Sequence, residues 1–432
     1  MPMNDLALHT DHYELTMLQA ALRSGAAERR CVFEVFARSL PGRRRYGVVA
    51  GTGRLLDHLP TFRFDDDALS FLSATGVVDN ATCRWLSSFR FTGSVDGYAE
   101  GEPYFPGSPV LVVEGTFAEC VVLETLILSV LNHDSAVATA AARMVCAAGD
   151  RPCIEMGSRR AHEEAAVAAA RAAYIAGFAS TSNLAAGRRH GVPTTGTAAH
   201  AFTLVHDDEV HAFGAQVASL GRDTTLLVDT YDVEQGIRAA VAAAGPDLGA
   251  IRLDSGDLLS QARRARALLD ELGAGSTRIV VTSDLDENSI ARLGAAPVDG
   301  YGVGTSVVTG SGVPTAGFVY KLVARQTPTG WLSVQKRSVG KRSVGGRKSP
   351  VRRHAGHVAV AEQVWVGGPP PGRDDERPLL QPLVRTGTVV WTAGVREARE
   401  HCRAAVGQLP DEAMKLSAGD PAIETRYEEV PA

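Results

Sequence analysis

The sequence predicts an α/β protein centred on parallel strands whose C-terminal ends form a functional rim. Three observations predict it. From Arg151 onward, short apolar runs alternate with Ala- and Leu-rich helical segments over about 150 residues, which implies parallel strands joined by crossover helices, in an open sheet or a barrel. The runs also end alike, in small, acidic and cationic residues, and this favours a barrel with its site at the C-terminal rim. The clearest unit is Gly249 to Leu259, GAIRLDSGDLL. It reads as a buried strand, then the turn Asp254-Ser255-Gly256-Asp257, then a helix with apolar residues at steps of three and four as far as Leu272. Taken alone, that turn is also an ordinary helix start, with Asp257 as N-cap and Arg252 as a surface charge.

Composition narrows the function. The chain has 432 residues, 45% hydrophobic and 22% charged, with a formal net charge of -5. It is long enough for two or three domains, and its mild acidity argues against a nucleic-acid or membrane partner. Six cysteines form no CxxC and no metal-type cluster, so reduced thiols in a cytoplasmic protein are expected. The N-terminus is too polar for a signal peptide, and the apolar run Val121 to Leu131 is interrupted by Glu124 and too short to span a bilayer.

In chain order, Thr10 is the expected cap of a helix carrying Leu15, Leu18 and Leu22 on one face, with Tyr13 near its start. Cys31 to Ala37 alternates as a strand, and a basic loop follows from Pro41 to Tyr46. Residues 54–91 read as amphipathic helices and Gly93 to Glu119 as β-rich. Helices are expected from about Glu119 to Leu131 and from Ser135 to Ala148, the second capped by Asp134 or Ser135. A first domain is placed at 1–135, and a barrel domain at 136–310.

Within the barrel domain, strands are expected at Cys153–Gly157, Val192–Gly196, Leu226–Thr230, Ala250–Asp254, Arg278–Ser283 and Gly300–Gly304, with helices at 161–178, 181–189, 233–244, 258–272 and 286–293. The third region, 311–432, is β-rich and then helical. It contains the repeat KRSVG-KRSVG, and eight of the eighteen residues from Lys336 to Arg353 are Lys or Arg. A solvated basic hairpin accounts for that run; a cationic flap or an RNA-binding patch is the rival.

The rim residues suggest phosphate chemistry. Gly302, Gly304 and Thr305 at the last strand, with Ser283-Asp284 at the preceding one, stand where barrels often hold a phosphate. Arg252 suits bidentate pairing with a second phosphate, Asp254 a sugar diol or a hydrated Mg²⁺, and Arg159 and Arg160 further anionic groups. His200, after the run Val192–Gly196, suits phosphoryl acceptance or acid–base work. The implied ligand is a doubly phosphorylated sugar with a small anionic partner.

The motifs TDHYELTM (10–17), FEVFARSLPGRRRYGVVAG (33–51), EMGSRRAHE (155–163), GFASTSN (177–183), GVPTTGTAAHAF (191–202), RLDSGDL (252–258) and YGVGTSVVT (301–309) together resemble nicotinate phosphoribosyltransferase over nearly the whole chain. The resemblance implies the type II phosphoribosyltransferase architecture: an irregular α/β barrel, an N-terminal α/β domain completed by C-terminal elements, and active sites shared across a homodimer. It implies nicotinate, phosphoribosyl pyrophosphate and ATP as substrates, with Mg²⁺. His200 then corresponds to a histidine phosphorylated from ATP. Arg252 and Asp254 correspond to residues holding phosphoribosyl pyrophosphate, with Asp254 the Mg²⁺ candidate. Gly302, Gly304 and Thr305 match a 5′-phosphate loop, with Thr197, Asp257, Ser283 and Asp284 lining the same rim. Tyr13 matches a ring reaching the pyridine of the neighbouring subunit, and Arg159 a base- and phosphate-side cation. Met156 stands where nicotinamide-using relatives carry an aromatic. Ser182 stands where they carry an aspartate, whose charge would repel nicotinate by about 1–4 kcal/mol at a few Å. The acid is therefore expected over the amide. Nicotinamide or quinolinate use, and a non-catalytic phosphate-sensing or RNA-binding protein, are the alternatives.

Overall fold

The computed structural model describes residues 5–336 and 343–430. Two compact units emerge: residues 1–136 with 313–432, and residues 137–312.

In the first unit, a seven-stranded antiparallel sheet runs in the order Gly330–Ser333, Phe318–Thr327, Arg30–Ala37, Leu111–Thr116, Ser94–Tyr98, Leu380–Arg385 and Thr388–Val389. The alternating run from Cys31 is a central strand of it, paired on both sides. Phe33 stacks on Tyr320 across the strand pair, ring centroids 4.7 Å apart. The first helix is His12–Ser24, and Asp11, not Thr10, holds its N-cap position. Thr10 instead donates its hydroxyl to the buried Glu14.

The two helices expected around residue 134 are one helix, Glu124–Ala148. Asp134 and Ser135 look like caps because both can bind backbone N–H groups. Here both are buried in mid-helix: Asp134 binds Arg54 at 2.7 Å, and Ser135 Oγ accepts from the Ala50 N–H at 3.0 Å. With the preceding turn this segment is long and apolar enough to cross a membrane, but 67% of its apolar window is buried in the protein.

The basic run is corrected too. The pentapeptide repeat falls largely on residues 337–342, outside the described residues. Beyond it, Lys348–Ala355 is a strand of a four-stranded sheet, its cations are paired, and two of them, Lys348 and Arg352, are buried. Lys348 meets Glu34 at 2.7 Å in a buried pair, Arg353 meets Asp375 at 2.7 Å, and Arg347 pairs with Glu114. Arg352, 1% exposed, binds Glu102 at 2.9 Å and also Glu362.

The second unit is a six-stranded, all-parallel sheet ordered Ser180–Thr181, Cys153–Glu155, Gly300–Val303, Arg278–Val281, Ala250–Leu253, Thr225–Leu227. It curls into a half-barrel. Ala250–Leu253 and Gly300–Val303 are buried at every residue, the mark of a parallel strand covered on both faces. The expected strand at Val192–Gly196 is reduced to a single bridge, Thr194 to Thr181; Pro193 offers no N–H to extend a ladder. Two helices, His200–Leu204 and Glu209–Leu220, occupy a stretch the sequence pattern left unassigned. Because every strand of this sheet runs the same way, all its C-terminal ends meet at one edge.

Glu102 gives the first unit a testable pH dependence. Burial alone would raise its pKa, but His401, Arg352 and Arg377 donate to it and hold it down to about 2. A carboxyl whose folded value lies below its unfolded one stabilises the fold above the unfolded value and loses that contribution as pH falls toward the folded one. Urea unfolding should therefore show roughly 3 kcal/mol lost between about pH 5 and pH 2 from this group. Glu102→Gln should remove about 3–5 kcal/mol at neutral pH by leaving Arg352 buried and under-paired.

Candidate active site

The rim of the second unit is organised by Arg252, which lies one residue before the end of its strand and is 8% exposed. Its Nε donates to Thr282 Oγ1 at 2.8 Å, its Nη1 to Thr197 Oγ1 at 3.0 Å and Ala198 O at 3.3 Å, and its Nη2 to Asp254 Oδ1 at 3.0 Å. Four of the five guanidinium N–H groups thus point at protein acceptors. Arg252 thus ties its own strand exit to that of Arg278–Val281 and to the loop at Thr197-Ala198, and one of its five N–H groups has no protein acceptor among the described residues.

Asp254 is held from two sides. Its Oδ1 also accepts from the Thr282 hydroxyl, and its backbone N–H donates to Asp229 Oδ2 at 2.8 Å. Ser255 Oγ donates to the same Asp229 oxygen at 2.8 Å. Asp254 Oδ2 is left facing His200 Nε2 at 3.8 Å, while His200 Nδ1 lies 3.1 Å from Thr230 Oγ1. A ring nitrogen held by a hydroxyl fixes how the imidazole is oriented and leaves the other nitrogen toward the cavity.

Two adjoining cavities result, and they share Met156, Arg159, Arg252 and Asp254. The smaller, about 200 Å³, adds Arg160, Thr282, Ser283, Asp284, Gly302, Gly304 and Thr305. Among the described residues, Arg159 and Arg160 make no ion pair, so two cations face this cavity unneutralised. Ser283 has φ +127°, a strained conformation for a residue with a side chain and one that clusters at functional sites. The larger, about 340 Å³, adds Ser158, Ser182, Thr197 and His200.

The structure therefore brings together Arg159, Ser182, Thr197, His200, Arg252, Asp254, Ser283, Asp284, Gly302, Gly304 and Thr305. It does not bring Asp257, which lines neither cavity. Asp257 Oδ1 instead accepts from the Ser260 N–H at 3.4 Å, capping the helix Leu258–Glu271. Tyr13 belongs to the first unit, where it is 45% exposed and bonded to Glu124, with its phenol pushed up to about 12 by burial and nearby carboxylates. Gly302 is a glycine for packing as well, since a Cβ there would collide with Thr282 Cγ2 and approach Met156 Sδ to 2.8 Å.

Sequence reasoning missed Thr282 and gave no role to three supporting residues it had placed at strand exits or in a motif, Asp229, Thr230 and Glu155. Glu155 is buried and accepts from the Thr181 hydroxyl and the Gly157 N–H, joining two strand exits. Burial pushes its carboxyl up against the pull of those bonds. The signal available was position alone, each lying within three residues of a strand end.

The donor set suits a hydrated cation arriving with its ligand better than one caged by protein. Asp254 Oδ2 is free of hydrogen bonds to Arg252 and Thr282, yet among the described residues no three His, Cys, Asp or Glu side chains gather as a metal cluster.

The nicotinate phosphoribosyltransferase (NAPRTase) N-terminal domain family matches residues 8–132. A nicotinate phosphoribosyltransferase of Mycobacterium tuberculosis is 60% identical over 429 residues, covering 97% of this chain and 94% of that one. The nicotinate phosphoribosyltransferase of Bacillus subtilis is 40% identical over 330 residues, covering 74% and 67%. The crystal structure of human nicotinic acid phosphoribosyltransferase matches with a TM-score of 0.82 at 26% identity, covering 97% of each chain.

The Thr230 contact holds the His200 ring in one orientation. Thr230→Val should shift and broaden the ring nitrogen-15 resonances of His200 as that hold is lost, whereas an unchanged spectrum would remove Thr230 from this role.

Proposed function

The chain belongs to the nicotinate phosphoribosyltransferase family, and from that premise we propose how its own residues carry the reaction. It is an enzyme of NAD salvage that joins nicotinate to phosphoribosyl pyrophosphate, giving nicotinate mononucleotide and diphosphate. The observation that carries the assignment of roles is the pair of cavities at one rim, sharing Arg252 and Asp254, one lined by Arg159 and Arg160, which make no ion pair among the described residues, and one flanked by Ser182 and His200.

The pyridine nitrogen attacks C1 of the ribose while the C1–O bond to diphosphate breaks, the electron pair leaving with the diphosphate. The transition state is oxocarbenium-like, so no protein nucleophile is needed at the sugar, and catalysis comes from positioning and charge stabilisation. Arg159 and Arg160 supply free guanidinium donors for phosphate and carboxylate oxygens. Asp254, pinned through Oδ1, offers Oδ2 to the ribose hydroxyls. Asp254 would also hold Mg²⁺, which when bound offsets charge on the diphosphate. Gly304, Thr305 and Ser283 line the end that takes the 5′-phosphate. Ser182 presents a hydroxyl that donates to a carboxylate, the donor a nicotinate site requires.

ATP coupling is assigned to His200. Its Nε2, turned to the cavity by the bond at Nδ1, attacks the γ-phosphorus of ATP and ADP departs, leaving a phosphohistidine whose hydrolysis accompanies turnover. We also propose a cytoplasmic homodimer, in which Tyr13 of each chain serves the site of the other. The exposure of Tyr13 (45%), Met17 (38%) and Phe71 (53%) on the first unit supports such a contact.

Competition among nicotinate, nicotinamide and quinolinate for phosphoribosyl pyrophosphate tests the substrate, and product should form from nicotinate alone at comparable concentrations. Ser182→Asp should cost nicotinate about 10-fold or more in kcat/KM through carboxylate repulsion; an equal loss with nicotinamide would place Ser182 elsewhere. His200→Ala should abolish ATP stimulation and leave a slow ATP-independent reaction. Full ATP stimulation in that variant would sink the phosphohistidine.

A further inference from the structure

Thr282 belongs to none of the motifs that mark this site, yet it sits at the junction of the two groups the site most depends on. The parallel ladder pairs Val281 with Leu253, and the Thr282 N–H donates to Leu253 O at 2.9 Å. This register sets Thr282 beside the strand exit Arg252-Leu253-Asp254, and the residue is 3% exposed. Its hydroxyl bridges the two: it accepts from Arg252 Nε at 2.8 Å and donates its one proton to Asp254 Oδ1. Arg252 Nη2 reaches the same Oδ1 at 3.0 Å, so guanidinium, hydroxyl and carboxylate close a three-membered ring of hydrogen bonds. The methyl is placed as tightly. It occupies the space a Cβ at Gly302 would need, on the neighbouring strand.

We infer that Thr282, seated by Gly302, is a positioning residue for the phosphoribosyl end of the reaction. It fixes the angle between Arg252 and Asp254 and thereby presents Asp254 Oδ2 to the cavity. Without the hydroxyl, Arg252 Nε becomes a buried donor with no acceptor, and Asp254 keeps only the Nη2 bond on its inner oxygen. The carboxylate is then free to turn both oxygens toward the guanidinium, which withdraws Oδ2 from the ribose. Valine keeps the shape and removes the hydroxyl; serine keeps the hydroxyl and removes the methyl. The two functions of the side chain can thus be separated. The inference rests on the rim being the phosphoribosyl pyrophosphate site.

The test uses the full-length protein and measures kcat, the KM of each substrate, the calorimetric Kd of phosphoribosyl pyrophosphate and the thermal midpoint. Thr282→Val should raise the Kd and KM of phosphoribosyl pyrophosphate roughly 10- to 100-fold while leaving the KM of nicotinate within about 2-fold. Thr282→Ser should stay within about 3-fold of wild type on every constant. The inference is overturned if Thr282→Val binds phosphoribosyl pyrophosphate as wild type does, or if Thr282→Ser is as impaired as Thr282→Val. A uniform loss of activity that merely follows the thermal midpoint also overturns it. A wild-type chain inactive with nicotinate but binding phosphoribosyl pyrophosphate would sink the proposed substrate and leave these Kd comparisons decisive. One that binds neither overturns both readings together.

Discussion

The barrel rim depends on a guanidinium that the protein uses on itself. Arg252 is almost wholly buried and spends its N–H groups on Thr282, Thr197, Ala198 and Asp254. A buried cation is expensive unless paired and hydrogen-bonded, and this one is both. Its position is therefore dictated from several sides, and so is that of each group it touches. The loop leading to His200 hangs on it through Thr197 and Ala198, and Asp254 through Nη2. The effect is preorganisation, in which charges stand where the ligand will need them before it arrives.

That arrangement divides labour among the arginines. Arg252 is structural in its donors and functional in its field, since its charge still borders both cavities. Arg159 and Arg160 follow the strand exit at Gly157, line the smaller cavity and make no ion pair among the described residues. They are the cations with hydrogen bonds to give. Two unpaired guanidiniums beside hydroxyls and glycines suit phosphate oxygens. Ser182, Thr197 and His200 border the larger space with shorter, less charged groups, which suits a flat ring carrying a single carboxylate.

Much of this was legible in the sequence, for physical reasons that can be named. Apolar runs ending in polar turns reveal a parallel sheet because both faces of each strand are covered while the ends are not. That logic located Ala250–Leu253 and Gly300–Val303 and the residues at their exits. It failed where a side chain's partner lies far off in sequence. Asp134 resembles a cap until Arg54, 80 residues away, claims it. Lys348 and Arg352 resemble solvated charges until Glu34 and Glu102 are brought to them. Val192–Gly196 resembles a strand, but a proline and a lone bridge leave it a loop. Asp257 looked equally able to cap a helix or to touch a ligand, and the Ser260 N–H decides for the cap. Thr282 was invisible because a threonine at a strand end is unremarkable until the inter-strand register sets it beside Asp254. The family resemblance supplied roles, whereas the register supplied the reasons those roles can be filled.

Arginine and lysine differ in what this account requires: lysine keeps the charge but cannot make a planar fork to three separate acceptors. The most direct measurement is the calorimetric affinity of Arg252→Lys for phosphoribosyl pyrophosphate. If the guanidinium works as an internal tie, affinity should fall by roughly 100-fold or more despite the retained charge. Affinity within about 3-fold of wild type would show that a point charge suffices, and the claim that the rim is built around Arg252 would be wrong.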